Sequence, residues 1–263
     1  GIPAVFGVEN PTSVIETDNI IVVDATKSLV IVEPDKSIRT DYQTKQENAE
    51  KRIKELAQFV SQKAQTKDGV PIMIYANIGT VEDAYLAKDE GAEGIGLFRT
   101  EFMFMEAAEK NTLLDEEEQF EAYKHVLEVM KDKPVTIRTL DAGGDKLINS
   151  VELPKLEEKN PLMGLRAVRL SLAFPQIFKT QLRALYRASV YGNLRIMLPL
   201  ITSTEQVIEC LSIIEEVKSE LDAKKIPFKK DVPVGIMIET AAAAITSDCL
   251  AKSCDFFSIG TND

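Results

Sequence analysis

GIGLFRTE, residues 94–101, is an apolar run that turns charged at Arg99 and Glu101. An unbroken apolar run, rather than an alternating one, predicts a strand buried on both faces, as in a parallel sheet. A guanidinium near the end of such a strand is costly unless a carboxylate or phosphate pairs with it. Arg99 therefore has two readings. It makes a salt bridge to Glu101 or a neighbouring strand, or it is a planar fork gripping an anionic substrate.

The same pattern recurs on either side. VPIMIYAN (70–77), PVTIRTL (134–140), LRIMLPLI (194–201), PVGIMIET (233–240) and FFSIGTND (256–263) read as strands. Between them, TVEDAYLAKDEGA (80–92), DEEEQFEAYKHVLEVM (115–130), the segments around 164–172 and 175–190, STEQVIECLSIIEEVKSELDAK (203–224) and AAAAITSDCLAKS (241–253) read as helices. A longer insertion follows GIGLFRTE. Alternating βα units leave a doubly wound sheet or a barrel. The strand tips favour the barrel: Asn77, Arg99 with Glu101, Arg138 with Asp141, Glu239 with Thr240, and Asn262 with Asp263. Barrel sites draw on the C-terminal ends of several strands, whereas a doubly wound sheet concentrates them at one switch point. No glycine-rich dinucleotide or Walker pattern follows a strand.

The expected fold is thus α/β, a (β/α)8 TIM-type barrel truncated after its sixth strand. A β-rich remnant and a linker helix precede it. NIIVVDA (19–25) and SLVIVEP (28–34) are short strands, too few for a domain. Residues 40–65 read as a charged helix with a narrow stripe of Ala49, Ile53, Leu56, Ala57, Val60 and Ala64. Thr40 and Gln43 suggest a capping box at its start. The expected domains are 1–38, the remnant; 39–66, the linker helix; and 67–263, the barrel.

The formal charge of −11 argues against non-specific nucleic-acid binding, but not against a small anion held by local arginines. No apolar run reaches membrane-spanning length, and the opening GIPAVFGVEN lacks a signal-peptide pattern. The expectation is a cytoplasmic protein with no membrane partner. Cys210, Cys249 and Cys254 fit no metal spacing and are expected to be buried or half-buried free thiols.

Arg138 repeats the Arg99 situation one strand later. Gly143 and Gly144 follow it in a loop open to close approach, and Lys146 supplies a point charge. Glu239 and Asp263 are carboxylates on adjacent strand ends. They pair with the two arginines, or they hold Mg²⁺ together with substrate oxygens. Arg183 and Arg187, at i,i+4, read as a solvated or salt-bridged helix face, with Arg195 opening the next strand. His125, the only histidine, lies mid-helix and reads as structural or superficial.

Taken together, the stretches at 90–105, 116–130, 136–146, 160–172, 182–201, 234–244 and 255–263 resemble enzyme I of the bacterial phosphoenolpyruvate (PEP):sugar phosphotransferase system. GIGLFRTE and GTND are shared with the wider PEP-utilising enzymes, including PEP synthase and pyruvate phosphate dikinase. TIRTLDAGGDK and NPLMGLRAVR look more like enzyme I. The resemblance implies a phosphoenolpyruvate–protein phosphotransferase whose barrel binds PEP and Mg²⁺ at its C-terminal mouth. Arg99, Arg138 and Asn262 would hold the phosphate, Lys146 would lie beside it, and Glu239 and Asp263 would bind Mg²⁺. It further implies transfer of the phosphoryl group to a histidine and on to a phosphocarrier protein, with a homodimer at full length. Residues 1–38 would be the end of a swivelling phosphohistidine domain. Neither that histidine nor the family's acid cysteine matches a position here, so no catalytic residue is expected in this chain. The sequence also departs from the family at ETAAAA, where proline usually follows the glutamate step. Two alternatives are a PEP synthase or dikinase fragment, and a barrel-derived module without catalysis.

Overall fold

The computed structural model describes residues 3–60, 62–110, 112, 114–143 and 164–261. The chain divides into two compact units, Gly1–Gln62 and Lys63–Asp263.

The first unit contains a short helix α1 (Pro11–Val14), strands β1 (Ile21–Asp24) and β2 (Leu29–Val32), and helix α2 (Lys36–Ala57). β1 and β2 pair antiparallel, with Ile21 opposite Val32. α2 starts before the expected capping box. Asp35 is its N-cap, accepting from Ile38 N at 2.9 Å, and the Thr40 hydroxyl donates back along the helix to Lys36 O at 2.9 Å. A carboxylate next to the first turn outcompetes a threonine already inside the helix. The Tyr42 hydroxyl donates to Asp24 at 2.9 Å and ties α2 to β1. α2 has no buried residue, and Ile53 and Leu56 of the expected stripe are exposed.

The second unit is built on six strands: β3 (Ala76–Ile78), β4 (Ile95–Arg99), β5 (Pro134–Arg138), β6 (Asn193–Leu198), β7 (Val234–Ile238) and β8 (Phe257–Ile259). All neighbours pair parallel, and spatial order equals chain order. A doubly wound sheet would reverse that order at a switch point. β3 and β8 lie at opposite edges of the sheet yet line one interior pocket. A flat sheet would hold them five spacings of about 4.8 Å apart. The sheet therefore curls as barrel staves do.

The helices lie on one face. They are α3 (Asp83–Asp89), α4 (Glu101–Glu109), α5 (Glu116–Met130), α6 (Ala167–Ala173), α7 (Pro175–Ala188), α8 (Thr204–Ala223), α9 (Ala241–Ile245) and α10 (Ser247–Leu250). The expected insertion after GIGLFRTE is thus helical in part, as α4. Leu194, Ile196 and Leu198 of β6 share one apolar core with Leu182 and Leu185 of α7 and Val207 and Ile214 of α8. Side chains alternate along a strand, so the intervening positions face the interior instead. The strand expected at 70–77 is shorter than its apolar pattern. Only Ala76 onward pairs with β4, while Val70, Ile72, Met73 and Ile74 are exposed. Its apolar run marked a strand, but a ladder needs a partner strand as well.

α7 shows its two faces clearly. Phe178, Leu182 and Leu185 are buried, while Arg183 and Arg187 reach across to α5 and α8. Glu116 accepts from Arg183 Nε at 2.6 Å and from Arg187 Nη1 at 2.9 Å. This helix face is salt-bridged, as the i,i+4 spacing suggested. Burial pushes the Glu116 carboxyl upward, but the two guanidinium bonds outweigh it and leave the group below its ordinary 4.5. A depressed carboxyl stabilises the fold above its unfolded pKa, and that contribution fades as pH falls through the folded value. Glu116→Gln should therefore melt below the parent at pH 7, with the gap closing from pH 4.5 downward. Melting curves across that range check the sign.

The three cysteines are free. Cys210 is buried and its thiol is pushed up to about 12, chiefly by burial. Cys254 is half-buried, but Cys249 is exposed, contrary to expectation, because it lies on the outer side of the short α10. Among the described residues no helix is long and apolar enough to cross a membrane.

Candidate functional site

The register of β4 on β5 sets Arg99 directly opposite Arg138. Adjacent parallel strands lie about 4.8 Å apart, so two guanidinium stems start side by side at one end of the sheet. Both line a pocket of ≈ 530 Å³ together with Asn77 of β3, Asp141 after β5, Met237 and Glu239 of the β7 end, and Ser258 of β8. Strands β3, β4, β5, β7 and β8 all contribute, and the charged residues come from their C-terminal ends.

The two arginines have different surroundings. Arg138 is largely buried in a tight cluster, its side chain 11% exposed. Its Nε and Nη2 donate to Glu101 Oε1 at 3.2 and 2.9 Å, and its Nη1 lies 3.1 Å from Asp141 Oδ2. Nη1 also approaches Met237 Sδ at 3.7 Å. Arg99 is exposed and lies over the Phe102 ring, 5.0 Å from its centroid. The salt bridge considered between Arg99 and Glu101 is not the one formed. Glu101 turns toward Arg138, and among the described residues no carboxylate lies within ion-pair distance of Arg99. Its charge helps hold Asp83 below the carboxylate range, after the hydrogen bond from Gly79 N.

Burial raises the Glu101 carboxyl above its ordinary value. Arg138 opposes that rise and the Asp141 charge reinforces it. Glu101 is thus a largely buried carboxyl whose rise Arg138 opposes, and Arg138 is fixed in orientation by two carboxylates. Arg166, which the sequence reading did not single out, joins them. Its Nη2 lies 3.0 Å from Asp141 Oδ1, and Gly143 and Arg166 form an antiparallel bridge. The only available signal was an arginine in GLRAVR between a glycine and a helix, which many surface helices share.

Glu239 follows β7, and its Oε1 accepts from Leu200 N at 2.5 Å. A Cβ on Gly260 would lie 3.0 Å from Glu239 Cβ and 3.5 Å from Oε2. Glycine after β8 therefore leaves the carboxylate room at the pocket wall. Lys146, Gly144, Asn262 and Asp263 lie outside the described residues. His125 is exposed on α5, with its Nε2 2.6 Å from the Tyr85 hydroxyl on α3, away from the pocket.

The geometry suits a small polyanion, with cationic groups converging beside a carboxylate at the mouth of a curled parallel sheet. Comparison with known proteins names the class. Residues 53–263 match the model of the PEP-utilising enzyme family, PEP-binding domain. The chain belongs to the PEP-utilising enzyme family. It is 45% identical over 262 residues to the phosphoenolpyruvate-protein phosphotransferases of Geobacillus stearothermophilus and Staphylococcus carnosus. It is 42% identical to that of Haemophilus influenzae. Each match covers 100% of this chain but only 44–45% of the relative, so the chain spans less than half their length.

Proposed function

We propose that the chain is the PEP- and Mg²⁺-binding part of a phosphoenolpyruvate–protein phosphotransferase, enzyme I of the sugar phosphotransferase system. The observation that supports it most is the side-by-side Arg99 and Arg138 facing one pocket with Glu239. In this reading the PEP phosphate takes the free face of Arg99 and the Nη1 side of Arg138, with Asn262 and Lys146 as further donors. Glu101 and Asp141 hold Arg138 in place before substrate arrives, so little reorganisation is needed at the moment of transfer.

The donor set fits Mg²⁺, which takes one or two carboxylates and completes its shell with substrate oxygens. Glu239 stands across the pocket from the arginines, and the missing Cβ of Gly260 leaves space before it. Glu239 and Asp263 would hold the ion, which would neutralise charge on the phosphoryl oxygens during transfer. Among the described residues no cluster of three or more metal-ligating side chains exists, so substrate oxygens and water would fill the remaining positions.

The acceptor histidine is supplied by a swivelling domain of the whole protein, whose end is residues 1–38 here, with 39–66 as linker and 67–263 as barrel. The phosphoryl group then passes to a phosphocarrier protein. His125 is the only histidine of this chain and lies outside the pocket lining, which supports an acceptor elsewhere. A cytoplasmic location and a homodimer belong to the same proposal, on the resemblance to enzyme I.

The test is calorimetric titration of PEP with Mg²⁺ and with EDTA, since the chain has no tryptophan to report binding. Heat of binding is expected with Mg²⁺ alone. Glu239→Gln should weaken it at least about tenfold, a loss typical of removing even an outer-shell metal partner. Absence of binding in both conditions would overturn the proposal for this chain.

A further inference from the structure

We infer that Gln181 is a positioning residue for the two pocket arginines; the geometry stands by itself, and only the ligand rests on the PEP reading. Gln181 lies on α7, in the helix layer behind the sheet, and is 1% exposed. Its neighbours Phe178, Leu182 and Leu185 are apolar core, so packing alone would be served by leucine. A buried carboxamide is costly unless its hydrogen bonds are made.

Here they are made, and they lead to the pocket. Thr139 N still bonds to Met197 O on β6, but the next backbone donor, Leu140 N, has left the sheet ladder. Gln181 Oε1 accepts from it at 2.9 Å. Gln181 Nε2 donates to Thr100 Oγ1 at 3.3 Å and to the Tyr123 hydroxyl at 3.1 Å. The Thr100 hydroxyl donates onward to Arg138 O at 3.0 Å. Tyr123 donates to Gln119 Oε1 at 3.2 Å, and Gln119 Nε2 donates to Leu114 O at 3.1 Å, so the chain of bonds ends satisfied.

Thr100 stands between Arg99 and Glu101, and Arg138 O and Leu140 N flank Thr139. One side chain thus clasps the ends of β4 and β5 where two like charges sit opposite each other. The 2.9 Å bond from Arg138 to Glu101 depends on the relative placement of those two ends. Satisfied buried networks of this kind hold one arrangement against its alternatives.

The test reads Arg138 itself. In ¹H–¹⁵N spectra the Arg138 Nε–H signal, assigned by its loss in Arg138→Lys, reports the bond to Glu101. Gln181→Met should shift that signal and speed its exchange with solvent. It should also weaken Mg²⁺-dependent PEP binding about tenfold. Gln181→Glu keeps an acceptor for Leu140 N but loses the donors. It should also move the signal, which keeps the test open if Gln181→Met fails to fold. Leu182→Ala, a core loss on the same helix, should lower the melting temperature and leave the signal in place. A parental Arg138 signal in the Gln181 variants, or an equal shift in Leu182→Ala, would overturn the inference. If the parent itself binds no PEP, the functional reading fails and the Arg138 signal still decides the role of Gln181.

Discussion

Arg138→Ala is expected to lose most Mg²⁺-dependent PEP affinity and to become less stable as pH rises. Removing one partner of a buried charged pair costs about 2–5 kcal/mol in binding, or roughly 30- to 4000-fold in affinity. The stability effect follows from what remains. Glu101 and Asp141, 13% and 10% exposed at their side chains, lose the cation between them. Breaking a buried pair in this way costs about 3–5 kcal/mol, on the order of 10 °C for a unit of this size. Protonation limits that cost. The Glu101 carboxyl already lies above its ordinary 4.5 through burial, and loss of the opposing Arg138 would raise it further. A folded state that binds more protons than the unfolded one loses stability as pH rises. Arg138→Ala should therefore lie nearest the parent at about pH 5 and fall furthest behind at about pH 8. Calorimetry and melting curves at the two pH values measure both effects. Parental affinity would exclude Arg138 as a phosphate ligand, and a pH-independent deficit would exclude Glu101 as the group left behind.

Gly94→Ala carries the second large effect, through the sheet rather than through charge. Gly94 is buried just before β4, and its carbonyl accepts from Ala76 N on β3 at 2.9 Å. A Cβ there would stand 2.7 Å from Pro134 O and 2.9 Å from Tyr75 Cε1. The first is backbone of β5, whose next residue, Val135, is paired to Ile95 on one side and Leu194 on the other. The Tyr75 ring could turn aside, but the Pro134 backbone cannot move without disturbing two ladders. Overpacking of this kind costs about 1–3 kcal/mol, or several degrees of melting temperature. The displaced β4–β5 pair is also the one whose far ends hold Arg99 and Arg138, so PEP affinity should fall along with stability. An unchanged melting temperature would show that the strands separate more easily than their pairing suggests.

The strand pattern was legible because burial on both faces writes itself as continuous apolar runs with polar tips. GIGLFRTE, PVTIRTL and PVGIMIET each became a stave with its charge at the expected end. VPIMIYAN misled at its start because its residues are apolar yet exposed, and composition does not reveal whether a partner strand lies alongside. The start of α2 misled because Asp35 and Thr40 are both good caps, and only the chain path selects between them. Arg166 and Gln181 gave little signal, since an arginine or glutamine on a helix is usually at the surface.

The sequence by itself determined the order of the βα units, the choice of a barrel over a doubly wound sheet, and the presence of Arg99, Arg138 and Glu239 at strand ends. Those properties depend on near neighbours in the chain and on the period of burial. Only the tertiary structure decided that Glu101 serves Arg138 and leaves Arg99 over Phe102, that Asp141 draws in Arg166, and that Gln181 clasps the ends of β4 and β5. Apart from the contact of Arg99 with Phe102, those partnerships join residues 25 to 81 positions apart. They are set by sheet register and helix placement, which no local pattern encodes.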